Sequence, residues 1–344
     1  MSPSAIRPVI LSMGDPAGIG PEIVAKAFRE RPDLLRQVLV AGDVPTLQRA
    51  LRITAPDAGA GGLMLAQIET LADLPVVPPG CMAVVQACTL DGPVSLGQVD
   101  ARAGRAAADC IRFAALSALR QEARAVVTAP IHKEALAQAG VLHPGHTELL
   151  QALAAEHAGL PVSAMPVRMM LSSTDLRTVL VSIHISLRLA IDAVTTAQVL
   201  QTIEITHAYF QRLGTANARI AVAGLNPHAG EGGLFGREEI EVIAPAVSMA
   251  RSAGIGASGP HAPDTVFMRA LQGEFDVVVA MYHDQGLIPV KLLGLDYGVN
   301  TTLGLPFVRT SPDHGTAFDL AGTGRASAAS LLAALDAAMD ATAP

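Results

Sequence analysis

The chain has 344 residues, half of them hydrophobic and 16% charged, with Lys+Arg 24 against Asp+Glu 31 for a net charge of −7. That length suits about two domains with sizeable cores, and the composition excludes collagen-like, coiled-coil and intrinsically disordered chains. An acidic balance without a basic run argues against nucleic acid and anionic membranes as partners, although a few local cations are enough to hold a small anion.

Short Val/Ile/Leu runs alternate with longer Ala-rich segments. The runs at residues 9–13, 38–41, 125–128, 167–171, 178–183, 220–223 and 277–281 predict strands. Most lack polar alternation, which suits strands buried on both faces. Helical patterns at 21–30, 104–121, 147–158, 187–213, 237–253 and 327–339 lie between and beyond them. Alternating strand and helix predicts α/β layers with parallel strands. The apolar run at 8–13 is too short for a signal-peptide core and leads straight into Gly14-Asp15-Pro16. No stretch of about 18 apolar residues predicts a transmembrane helix. Cys81, Cys88 and Cys110 are odd in number and lack CxxC spacing, which argues against a disulfide framework or thiolate zinc site and favours a reducing cytoplasm.

Three strand-like runs each end in a histidine: His184 after Val179–Ile183, His228 after residues 221–227, and His283 after residues 278–282. Ligands in open parallel sheets bind beyond the carboxyl ends of strands. Three imidazoles there could converge on one divalent ion and leave positions open for substrate oxygens. Gly145-His146-Thr147-Glu148 opens a helix, where N–H groups and the dipole favour an anion; an ordinary helix cap would read the same way. Lys291, Asn300 and Arg309 form a basic and polar series suited to a phosphate. The Gly-rich segment 14–22 lacks the G-x-G-x-x-G dinucleotide spacing. A nicotinamide cofactor would therefore sit on other loops, such as 313–322.

In combination these motifs, with Thr128-Ala129-Pro130-Ile131-His132-Lys133 and Tyr282-His283-Asp284-Gln285-Gly286, make the chain resemble the 4-hydroxythreonine-4-phosphate dehydrogenase family of vitamin B6 biosynthesis over nearly its whole length. The resemblance implies an α/β fold of isocitrate/isopropylmalate dehydrogenase type: two α/β/α lobes with the active site in the cleft between them. The expected division is residues 1–135 plus 296–344 as the cofactor-side lobe and 136–295 as the metal-binding and dimerisation lobe.

It also implies a homodimer with interface-shared sites. The metal ligands would be His184, His228 and His283, with His283 completing the neighbour's site. Substrate would be bound by His146, Thr147, Lys291, Asn300 and Arg309. His314, Gly315 and Asp319 would contact NAD or NADP, and the divalent ion would be zinc, magnesium or cobalt. Lys133, His146 and Asp284 are the candidates for the general base. The implied reaction is NAD-dependent oxidation of 4-phosphooxy-L-threonine followed by decarboxylation. A sister group acts on 4-phosphoerythronate or 4-phosphothreonate and is the nearer alternative. The differences from the enterobacterial pattern, among them Asp15, Glu22 and Ala129, bear on substrate choice rather than on a metal ligand. A branch oxidising aromatic cis-dihydrodiols lacks the Gly-His-Thr-Glu motif. A phosphate acyltransferase on a similar fold would need no metal, and the three strand-end histidines argue against it.

Overall fold

The computed structural model describes residues 7–55, 62–294 and 297–343. The chain packs as two compact units, the first running to Pro166 and resuming at Leu305, the second spanning Val167–Gly304. The divisions therefore fall at 166/167 and 304/305, against the expected 135/136 and 295/296. Residues 136–166 go with the first unit because the helix His146–Ala158 packs on the helix Ala101–Leu119.

In chain order the first unit contains β1 (Val9–Ser12), β2 (Val38–Gly42), β3 (Met64–Ile68), β4 (Cys81–Gln86) and β5 (Ala125–Thr128). The second contains β6 (Arg168–Ser172), β7 (Arg177–Leu180), β8 (Ile220–Ala223), β9 (Ala257–His261), β10 (Val277–Ala280) and β11 (Val299–Leu303). Then β12 (Val308–Pro312) returns to the first. The first unit's order is β3-β4-β2-β1-β5-β12, parallel throughout. Its central strands are apolar on both faces, and Val9, Ile10, Leu11, Leu39, Val40, Val126 and Val127 are all fully buried. Each such side chain contributes roughly 1.5–3 kcal/mol of burial.

The second unit's order is β11-β6-β7-β10-β8-β9. Strands β7, β10, β8 and β9 are parallel, whereas β6 runs antiparallel to both β7 and β11. The expectation of parallel strands thus fails at β6, which reaches β7 through a short turn rather than a helical crossover. Alternate residues feed two cores. Val179, Val222, Val277 and Val279 join one cluster with residues of the helices Thr196–Arg212 and Ala244–Ser252. Leu180, Ala221, Val278 and Ala280 join another with residues of Val266–Leu271 and His283–Leu292. Helices therefore cover both faces of this sheet.

The helical pattern at 187–213 is two helices, Leu187–Ala193 and Thr196–Arg212. The hydroxyl of Thr195 accepts from the Gln198 N–H, capping a new helix where the pattern read as continuous. No helix among the described residues is long and apolar enough to cross a membrane.

The helices Ala101–Leu119 and Lys133–Gln138 meet at Gly104, where a Cβ would stand 2.1 Å from the carbonyl oxygen of Ala135. The contact is backbone and cannot rotate away. Gly104→Ala is therefore expected to destabilise the protein by about 1–3 kcal/mol, read as a lower urea midpoint; an unchanged midpoint would contradict this packing.

Candidate active site

The first unit collects polar side chains on β12 and on the segments that follow β1 and β5. Arg309 lies on β12 opposite Val126 of β5 and is only 3% exposed. Its Nη2 donates to the Thr128 hydroxyl at 2.7 Å. Burial lowers its pKa to about 10, with the Glu148 carboxylate acting against that shift. The guanidinium thus stays charged at neutral pH, tied to Thr128 at the carboxyl end of β5.

His146 begins the helix His146–Ala158, capped by Gly145. Burial, then the charge of Arg309, pushes its imidazole well below the usual range, and the carbonyl of Ala129 pulls the other way. The ring is neutral at physiological pH, and its Nε2 is buried without a hydrogen-bond partner. The chain thus leaves one nitrogen of a neutral ring available as a hydrogen-bond acceptor or donor. Thr147 is the next residue of the same helix turn.

The loop at 313–322 is held from beneath. Thr316 C=O accepts from the Ile19 N–H at 3.0 Å. Glu22, 2% exposed, accepts from the N–H groups of Gly322 (2.6 Å) and Gly324 (2.9 Å). Phe318 stacks on His132 with ring centroids 4.7 Å apart. His314, Gly315 and Asp319 are exposed on this loop, and nothing lies within 4 Å of a Cβ placed on Gly315. Below it Asp15 is fully buried, with Oδ1 accepting from the Ala17 N–H at 2.8 Å. Asp15 Oδ2 and His132 Nδ1 are both buried without a partner.

The second unit holds the histidines. Strands β7, β10 and β8 are neighbours, and His184, His283 and His228 follow their carboxyl ends. The rings of His184 and His283 lie 5.7 Å apart between centroids, and both residues line a cavity of about 320 Å³ with Ser182, Tyr282 and Asp284. Asp284 Oδ1 is 2.6 Å from His283 Nδ1, which leaves Nε2 of that ring for a ligand. His228 stands elsewhere: its Nδ1 is 3.6 Å from Asp264, and its ring is beside Phe235 at 6.3 Å. Among the described residues no three His, Cys, Asp or Glu side chains are grouped closely enough to hold one ion. One chain therefore brings together His184 and His283, where the resemblance implied His184 and His228.

His228 is carried by an unusual turn. Residues His228, Ala229, Gly230, Glu231 and Gly232 all have positive φ, between 43° and 77°. For non-glycine residues this conformation costs about 1–2 kcal/mol each. Of the remaining expected residues, Lys291 lies on the helix His283–Leu292 and Asn300 on β11, both in the second unit. Lys133 is exposed in the first turn of a short helix.

Helix-covered sheets of mainly parallel strands, with a buried cation and imidazole in one unit and paired imidazoles in the other, suit an α/β enzyme. The family model of the pyridoxal phosphate biosynthetic protein PdxA matches residues 34–338. The chain is 51% identical to the 4-hydroxythreonine-4-phosphate dehydrogenase of Beijerinckia indica subsp. indica, over 96% of this chain and 94% of that protein. It is 44% identical to the D-threonate 4-phosphate dehydrogenase of Salmonella typhimurium, over 97% and 98%. The crystal structure of 4-hydroxythreonine-4-phosphate dehydrogenase from Klebsiella pneumoniae superposes with a TM-score of 0.84 at 41% identity, covering 100% of each chain. The chain belongs to the PdxA family and is a dehydrogenase. A dehydrogenase of this family implies a nicotinamide cofactor.

Burial pushes the Asp15 carboxyl up from 3.8 to about 6, against the Ala17 N–H and the charge of His132. The folded state holds this proton more tightly than the unfolded chain. Its stabilising contribution is full below 3.8 and is lost as pH rises to about 6. Asp15→Asn is expected to be more stable than wild type by up to about 3 kcal/mol at pH 7.5, with the difference vanishing near pH 4. Urea unfolding at the two pH values measures it, and a pH-independent difference would contradict it.

Proposed function

We propose that the chain oxidises the secondary alcohol of 4-phosphooxy-L-threonine with NAD or NADP. Loss of carbon dioxide from the resulting β-keto acid then gives 3-amino-2-oxopropyl phosphate, on the route to pyridoxal phosphate. The observation that carries this reading is the buried, charged Arg309 beside a neutral His146 whose Nε2 is unused, in a chain of the PdxA family.

Arg309 and Thr147, both on the first unit, are the residues that would bind the anionic substrate, and anchoring its charged end would hold the reacting carbon in place, where orientation contributes most. Among the three base candidates, His146 has the geometry for the work. Its Nε2 would accept the hydroxyl proton, and a bound nicotinamide would supply the hydride acceptor. Asp284 instead orients the His283 ring, and Lys133 is solvent-exposed. His314, Gly315 and Asp319 would hold the cofactor on a loop that Glu22 and Thr316 keep in place. The open backbone at Gly315 leaves room for such a ligand.

A divalent ion, zinc, magnesium or cobalt, fits the donor set of His184 and His283 in one chain with His228 supplied by a second copy. When bound, such an ion supplies Lewis acidity for the alcohol oxygen and then the ketone. A homodimer is supported by the apolar side chains exposed on the same histidine-bearing segments: Ile185, Leu187, Leu189, Phe235, Ile288 and Leu292. Covering such side chains on another copy would remove them from water. The three buried thiols suit a cytoplasmic enzyme.

Oxidation of D-threonate 4-phosphate is the second reading, favoured by the 44% identity to the Salmonella typhimurium enzyme. Absorbance of reduced nicotinamide separates the two. With purified protein, NAD and a divalent ion, kcat/KM for 4-phosphooxy-L-threonine is expected to exceed that for D-threonate 4-phosphate by about tenfold or more, and chelation should abolish the signal. The reverse preference would install the second reading, and no signal with either substrate would sink both.

A further inference from the structure

We infer that Cys88 and Cys110 are a redox modification site, which a peroxide converts to an intrachain disulfide and a small thiol restores. The site is independent of the alcohol oxidation, which uses neither side chain.

The two residues stand 22 positions apart, and the fold brings their sulfurs to 3.5 Å. Cys110 lies on the helix Ala101–Leu119 and is fully buried, whereas Cys88 follows β4 and is 6% exposed. The backbone at Cys88 is held in place. Gln86 Nε2 donates to the Cys88 C=O at 2.7 Å and to Asp43 Oδ1 at 2.8 Å. Asp43 in turn caps the helix Val44–Thr54, accepting from the Thr46 N–H at 2.9 Å. A bonded loop and a packed helix therefore keep the two sulfurs in contact. Cys81 supplies the contrast. It has the same 6% exposure but opens β4, at the opposite end of that strand from Cys88.

The Cys110 thiol donates toward the Cys88 sulfur. That contact, and then burial, push the Cys110 thiol well above its usual range, so it keeps its proton. Cys88, the acceptor and the one open to a small uncharged oxidant, is the attacking residue. Its thiolate attacks a peroxide oxygen: an S–O bond forms, the O–O bond breaks, and the leaving hydroxide takes up the proton Cys88 gave up. The Cys110 sulfur then attacks the Cys88 sulfur. The S–S bond forms, the S–O bond breaks, and the hydroxyl leaves as water with the Cys110 proton. Two thiols and one hydrogen peroxide become one disulfide and two waters. The bond would anchor to the helix the root of a segment whose Leu90 and Val94 pack with Ala17, Ala103 and Phe318.

The test exposes purified full-length protein to hydrogen peroxide, denatures and alkylates it, counts its free thiols and maps its peptides by mass. The count should fall from three to one, with a peptide linking Cys88 to Cys110 within one chain, and dithiothreitol should restore all three. Three surviving thiols, a link through Cys81 or to a second copy, or Cys88 present as sulfinic acid without a link would overturn the proposal. In Cys110→Ser the link cannot close, so dimedone should label Cys88 as its sulfenic acid. No label there would overturn the order of attack. If that variant does not fold, the wild-type peptide map decides alone.

Discussion

Parallel strands in one sheet end on the same side, and this constraint supports the rest of the account. In the second unit β7, β10 and β8 are neighbours, so the residues that follow them are gathered by backbone hydrogen bonding before any side-chain choice is made. His184 and His283 meet for that reason. His228 follows the third of these strands but is turned onto a left-handed loop, facing Asp264 and Phe235 instead. Within one chain the described residues thus pair His184 with His283 and leave His228 apart.

The two units contribute different chemistry. The first buries a cation on β12, a neutral imidazole and a protonatable carboxyl. The second carries the paired imidazoles of His184 and His283 and the larger share of exposed apolar side chains. Desolvation links the first set: it lowers Arg309 and His146 and raises Asp15. A buried cation is tolerated there because Thr128 and the nearby Glu148 offset part of its lost hydration.

Much of this was legible in the sequence because the signals are local. Runs such as residues 125–128 and 220–223 are apolar without alternation, and both are strands with the expected bounds. Each strand-end histidine follows directly from such a run. The edge strand β3 was not read, since Met64–Ile68 is half-exposed and its pattern is weak. β6 carries no sequence mark of its direction, which is set by its partners. Glu22 and Gln285 lie inside recognisable motifs, yet the partners of Glu22 are Gly322 and Gly324, some 300 residues away, and that of Gln285 is Gly224. Glu239 and Asp264 carry no such mark: each bonds a loop, or faces a ring, that only the folded sheet brings near. An acidic residue flanking a Gly-rich loop was the available signal. The pairing of His184 with His283 likewise follows from strand order, which spacing does not encode.

The most direct measurement is complementation in mixed dimers. His184→Ala and His228→Ala chains carrying different tags are coexpressed, and the doubly tagged dimer is isolated. One of its two sites then keeps His184 and His283 from one copy and His228 from the other, so about half of wild-type turnover should return. A mixed dimer of His184→Ala with His283→Ala should stay inactive, because each of its sites lacks one ligand. Recovery in the second pairing and none in the first would contradict the account.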